Sequence, residues 1–163
     1  MVDQGQAASV INVAREILII ANRPMSTMKL QKLCFYAQGW TLAWSEGVPL
    51  FNEDFEAWRN GPVCRELFAQ HRGRYAISAD DLSERGAPVD DWRRELIEIT
   101  TEPYLPLTGV QLSDLTHEPD TPWSLARPGL NEDAVSRELI TKDSMQKFFA
   151  KLMRKPTEQP MVL

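Results

Sequence analysis

A chain of 163 residues, 43% hydrophobic and 25% charged, has the size of one domain and the composition of an ordinary globular protein. With 23 acids against 18 Lys and Arg, the net charge of −5 argues against a partner held mainly through phosphates, such as bulk DNA or an anionic membrane. Two cysteines, Cys34 and Cys64, make neither a disulfide framework nor a metal-ligand pair. No basic region leads into a signal core, and the longest apolar run, Ile17 to Ala21, is too short to span a bilayer. The expectation is a reduced, cytoplasmic protein with no membrane partner.

The first predicted helix runs from about Ser9 to Ala21, with Val10, Val13, Ala14, Ile17, Leu18 and Ala21 at the helical period. Asn22 and Pro24 close it. A second helix starts near Ser26 or Thr27, either of which can cap it, and carries Leu30, Leu33, Cys34, Ala37, Thr41 and Trp44 on one stripe. A short strand is expected around Phe55–Trp58, where apolar and polar residues alternate. Asn60-Gly61-Pro62 then looks like a turn followed by a helix start, since proline suits the first helical position. That helix ends near Gly73.

A one-turn helix is expected after Ser78, another helix from Val89 to about Thr101 with Trp92, Leu96 and Ile97 or Ile99 inward, and a third from the cap Thr108 to Leu115. Thr121-Pro122-Trp123 starts a short helix to about Ala126. The last helix has Thr141 as cap and Ile140 placed to staple onto Met145. Residues 1–8 and 155–163 are expected to be flexible ends around a domain spanning 9–154. The fold class is mainly α: a single compact helical domain with at most a short β-hairpin near residues 50–59.

Catalytic chemistry finds little support. Cys64, in the first turn of a predicted helix, has His71 seven residues on. A small half-buried Cys and a surface His beside Arg72 are the preferred reading of the pair. His117-Glu118-Pro119-Asp120 lacks the second histidine of a helical zinc site. No phosphate-binding glycine loop occurs, so no cofactor, metal or catalytic residue is assigned.

Nucleic-acid binding has one candidate element, the helix–turn–helix-like pair across residues 9–45. Its second helix offers Lys29, Gln31 and Lys32 but then turns aromatic, so a DNA-binding regulator is the second choice. Charge is also segregated. From Ala79 to Asp120 there are eleven acids and three arginines, a local charge of −8 that leaves +3 elsewhere. Asp90, Asp91 and Glu95 stand at the centre of this segment as a candidate surface for a basic partner. Of five tryptophans, Trp40, Trp44 and Trp92 fit apolar stripes, whereas Trp58 and Trp123 lie beside turns.

Three stretches together carry a resemblance. They are Met25-Ser-Thr-Met-Lys-Leu-Gln-Lys-Leu-Cys-Phe-Tyr-Ala-Gln-Gly-Trp40, Leu50-Phe-Asn-Glu-Asp-Phe-Glu-Ala-Trp-Arg-Asn-Gly-Pro-Val63 and Leu115-Thr-His-Glu-Pro-Asp-Thr-Pro-Trp-Ser-Leu-Ala-Arg127. In this order and spacing the chain resembles the Panacea domain, the antitoxin domain of SocA-like and GepA-like, often phage-associated proteins. The resemblance implies a non-enzymatic antitoxin that binds a cognate protein toxin, or hands it to an ATP-dependent protease as an adaptor. It leaves self-association into a homo-oligomer open. The motif residues Trp40, Trp58, Gly61, Pro62, His117 and Trp123 then stand as either partner contacts or parts of the frame, and Gly39 as the place where a bulky neighbour approaches the second helix.

Overall fold

The computed structural model describes residues 5–154. Helix α1 spans Val10–Ala21 and is capped by Ser9, whose side chain accepts from the Asn12 amide. It ends at Asn22 in the left-handed conformation, φ 55°, a geometry asparagine tolerates. Strand β1 (Met25–Ser26) leads directly into helix α2 (Thr27–Trp44), with Ser26 as its cap.

Helix α2 is the axis of the molecule. Every residue from Leu30 to Ala43 is buried, because α1, α4 (Asp91–Thr101), α5 (Gly109–Thr116) and α7 (Lys142–Arg154) pack around it. The single apolar stripe expected of it therefore understates its burial. Its polar residues are enclosed as well; Gln31, Lys32, Gln38 and Trp40 are paired, whereas the Thr41 hydroxyl has no partner among the described residues. Gln38 donates to the Phe51 carbonyl (2.7 Å) and accepts from the Leu50 amide (2.8 Å), which ties down the segment after the helix. The indole of Trp40 donates to the Tyr104 hydroxyl at 2.8 Å. Phe149 of α7 sits among Phe35, Tyr36 and Trp40, with ring centroids 5.1–6.1 Å away. It reaches this depth through Gly39, where an added Cβ would stand 2.1 Å from its ring.

Strands β2 (Phe55–Trp58) and β3 (Gly61–Cys64) form an antiparallel hairpin, pairing Phe55 with Cys64 and Trp58 with Gly61. Strand β5 (Leu139–Ile140) adds to the other side of β2, and β1 pairs with β4 (Ala76–Ile77) in a second small sheet. The fold is mainly helical, as expected. The strands, however, exceed one hairpin near residues 50–59: the hairpin runs from Phe55 to Cys64, and a third strand joins it from 76 residues downstream of Cys64's end of the chain, at Ile140.

Gly61-Pro62 is consequently not a helix start. Gly61 takes φ +119°, which closes a two-residue turn through Arg59 and Asn60, and Pro62 lies on an edge strand, where its missing N–H costs no ladder bond. Helix α3 begins three residues later and spans Arg65–His71. A one-turn 3₁₀ helix at Ala79–Asp81, α5 with its Thr108 cap, and α6 (Pro122–Leu125) with its Thr121 cap follow the sequence expectations. In α4 the cap is Asp90, Ile97 faces inward and Ile99 is exposed. Trp92 is only half-buried, and Trp44 is 40% exposed rather than part of the core.

The domain is held before residue 9, since Ala8 is buried and its amide donates to the Leu50 carbonyl. The expected flexible tail at 155–163 lies outside the described residues. No described helix is long and apolar enough to cross a membrane.

Candidate functional site around the β2–β3 hairpin

The three motif stretches, far apart in sequence, converge on the β2–β3 hairpin. Several of its carbonyls are met by donors from other elements. The Lys32 ammonium of α2 donates to the Pro62 carbonyl at 3.1 Å. The Ser113 hydroxyl of α5 donates to Asn60 at 2.6 Å. The Trp123 indole of α6 donates to Trp58 at 2.6 Å, and the Arg127 guanidinium donates to Ala57 at 2.9 Å. Arg127 also donates to the carbonyls of Asn131, Glu132 and Ala134, so one buried cation gathers the loop beyond α6 onto the hairpin. Glycine is required at 61 by contact as well as by φ, because a Cβ there would stand 2.5 Å from Lys32 Cε.

His117 stacks on Trp123 with centroids 3.9 Å apart and planes 9° apart, and the Arg127 guanidinium lies 4.6 Å from the same indole. Burial holds the imidazole below its usual pKa range, and its Nε2 is enclosed without a hydrogen-bond partner among the described residues. His117, Glu118 and Asp120 do not assemble a metal cluster with other His, Cys, Asp or Glu among the described residues. His117 acts as one layer of a stack instead.

On the other side of the hairpin, Gln31 clamps Cys64. Its Oε1 accepts from the Cys64 amide at 2.9 Å, and its Nε2 donates to the Cys64 carbonyl at 3.2 Å and meets His71 Nε2 at 3.0 Å. The Cys64 amide can only donate, so the Gln31 atom facing it is oxygen. Nε2 then donates to His71 Nε2, which leaves that nitrogen unprotonated and the imidazole neutral. Burial, with the nearby Lys32 charge, lowers the His71 pKa in the same sense.

His71 is therefore buried and engaged, not a surface histidine beside Arg72. Cys64 is the N-cap of α3, where the Leu67 amide favours the thiolate, but burial outweighs that contribution and pushes the pKa up to about 12, so the group is a thiol rather than a thiolate at neutral pH.

The remaining candidates divide by exposure. Trp40 and Trp123 are buried, Gly61 and Pro62 are buried in the hairpin, and Trp58 is half-buried, edge-on to Phe68 at 5.0 Å. Asp90 caps α4 and pairs with the buried Arg93 at 2.7 Å. Asp91 pairs with Arg94 and is open to solvent, and Glu95 is exposed with no ion pair among the described residues. Several other acids of the 79–120 segment are held by bases from outside it, Asp81 by Arg74 and Glu84 by Arg15. Lys32 and Gln31, expected at the start of a groove-reading helix, are fully enclosed, so α2 presents no recognition face to DNA.

The sequence suggests Gln31 and Lys32 only as groove-reading residues and His71 only as a neighbour of Cys64; their role as internal braces, with that of Arg127, is not evident from it. The available signal is a lysine and a glutamine set among the apolar residues of the clearest helix.

Comparison with known proteins agrees with this convergence. The family model described as antitoxin SocA-like, Panacea domain, matches residues 30–124, which holds all but the ends of the three stretches. The antitoxin SocA of Caulobacter vibrioides (strain NA1000 / CB15N) is 31% identical over 138 residues, covering 77% of this chain and 73% of that protein. No solved structure matches the chain. With its motif residues gathered on one hairpin and a match of this extent, the chain belongs to the SocA-like antitoxin family with a Panacea domain.

Proposed function

We propose that this protein is the non-enzymatic antitoxin of a toxin–antitoxin pair, binding a cognate protein toxin and neutralising it. The family match over residues 30–124 is the observation that carries the reading. The geometry supports it in a particular way. The motif residues Trp123, Arg127 and Lys32 are spent on internal braces, each holding a hairpin carbonyl, as does Ser113 just before the third stretch. A frame fixed from inside leaves its surface free to differ, and toxin contact falls to residues open to solvent rather than to the buried tryptophans Trp40 and Trp123.

Among those exposed residues, Asp91 and Glu95 on α4 suit a basic toxin surface. Asp90 is better read as structural, because it caps α4 and holds Arg93. Delivery of the bound toxin to an ATP-dependent protease is the finer form of the proposal. Co-expression with the product of the adjacent gene tests both. Growth restored in a host with and without the protease supports neutralisation by binding, growth restored only with the protease supports the adaptor role, and no restoration contradicts the proposal.

A further inference from the structure

Between α2, the β2–β3 turn, α3 and the loop before β5 lies a cavity of about 390 Å³, within the range of small-molecule sites. Lys32, Gln31 and His71 line it, each at least nine-tenths buried. Trp58 and Phe68 supply an apolar wall, and the exposed Arg59 and Arg137 stand at its mouth. The hydrogen bonds of Gln31 are committed to Cys64 and His71, and His71 is neutral, as argued above.

Lys32 is the exception. Its ammonium has three N–H groups and a single acceptor among the described residues, the Pro62 carbonyl, and it pairs with no carboxylate. An enclosed ammonium without a counter-charge is costly unless something supplies one. Burial accordingly lowers its pKa to about 7, which leaves it close to half charged at neutral pH.

We infer that this cavity is a binding site for a carboxylate carried on an apolar group, the carboxylate meeting Lys32 and the apolar body lying against Trp58 and Phe68. One buried cation calls for a monoanion, and the arginines at the mouth draw in that charge. The carboxylate has two sources: a free small molecule, or an acidic side chain or terminal carboxylate of the bound toxin. The second source rests on the antitoxin reading; the first does not.

The test uses 3-phenylpropionate and its neutral amide, 3-phenylpropanamide, titrated into the full chain and followed by the Trp58 indole N–H resonance. The acid is expected to bind at least about tenfold more tightly than the amide, the discrimination of a charge-assisted buried bond. Lys32→Met, with its fold checked by circular dichroism, is expected to erase that preference. Equal binding of acid and amide, binding of neither, or a preference that survives Lys32→Met overturns the inference. Should Lys32→Met fail to fold, Lys32→Gln, which keeps a donor for the Pro62 carbonyl and removes the charge, takes its place, and a preference for the acid that survives it overturns the inference equally. In a second arm the toxin replaces the probe. Loss of toxin affinity in Lys32→Met together with loss of the acid preference assigns the carboxylate to the toxin, and retained toxin affinity assigns it to a free small molecule.

Discussion

The indole N–H of Trp123 reaches the backbone carbonyl of Trp58 at 2.6 Å, joining two motif stretches separated by 65 residues. Trp123 is buried, so this bond lies where an unmet carbonyl is costly. Trp123→Phe keeps a ring for His117 to stack on, removes the donor and leaves a small gap where the pyrrole ring stood. It is expected to lower stability by about 1–2 kcal/mol, a fall of about 3–6 °C in Tm for a domain of this size. Toxin affinity measured well below Tm should not change. An unaltered Tm in thermal denaturation would show that the bond does not brace the hairpin.

The charge on Lys32 gives a pH dependence with a definite sign. Its pKa falls from 10.5 to about 7 on folding, so between those values the unfolded chain binds the extra proton. Stability then rises with pH across that window, by about 1.4 kcal/mol per unit where the difference is a full proton. Below pH 7 the penalty is fully present. Relative to Lys32→Met, the wild-type chain should gain about 2 kcal/mol between pH 7 and pH 9. Urea unfolding of both proteins at the two pH values checks this, and parallel curves would mean that the ammonium is solvated.

Gly39 and Phe149 are in contact too close for any side chain at 39. Alanine is the better helix former by about 1 kcal/mol, so propensity alone predicts that Gly39→Ala stabilises α2. The contact predicts the opposite. A Cβ 2.1 Å from Phe149 Cε2 has to move the ring or all of α7, and overpacking of this kind costs about 1–3 kcal/mol or more. A lowered denaturation midpoint is expected, and a raised one would show that α7 docks less tightly than described.

Both thiols should be inert in the folded protein. Cys34 lies in α2 and Cys64 follows the hairpin, and burial raises the pKa of each. Iodoacetamide at neutral pH is expected to label neither until denaturant is added, which mass spectrometry reads directly. Rapid labelling of Cys64 in the native chain would reopen a nucleophilic role. Above pH 9 the unfolded thiols ionise while the folded ones do not, so this pair lowers stability as pH rises toward 12.

The surface reading of α4 separates into two experiments. Asp91→Lys with Glu95→Lys should slow association with a basic toxin, most at low salt, while leaving Tm nearly unchanged, because both side chains are exposed. Asp90→Lys should instead cost stability through the lost cap and the lost ion pair with the buried Arg93. Stopped-flow association and thermal denaturation distinguish the two, and an unchanged association rate in the double variant removes α4 as the contact surface.

Local signals in the sequence located most helices. Ser26, Thr108 and Thr121 cap where the sequence places a cap, since capping depends on a few adjacent residues. Pro62 was ambiguous for a physical reason. The same fixed φ and missing N–H suit both a helix start and an edge strand, and only the pairing with Ala57 decides between them. The burial of Lys32 was likewise hidden. Periodicity assigns one buried face to a helix, whereas α2 is enclosed all round by elements far away in sequence, such as Phe149 against Gly39, 110 residues apart. The site followed the same pattern: its members were visible as motifs, but their role as donors to one hairpin depends on contacts such as Arg127 with Ala57, which no local pattern encodes.

The most direct test of the central claim is a binding measurement with purified proteins. The product of the adjacent gene is titrated with this chain while its toxic activity is followed. A stoichiometric complex is predicted, with activity falling in proportion to the antitoxin added. Full toxic activity in the presence of saturating antitoxin, with no complex detected by calorimetry, would contradict the account.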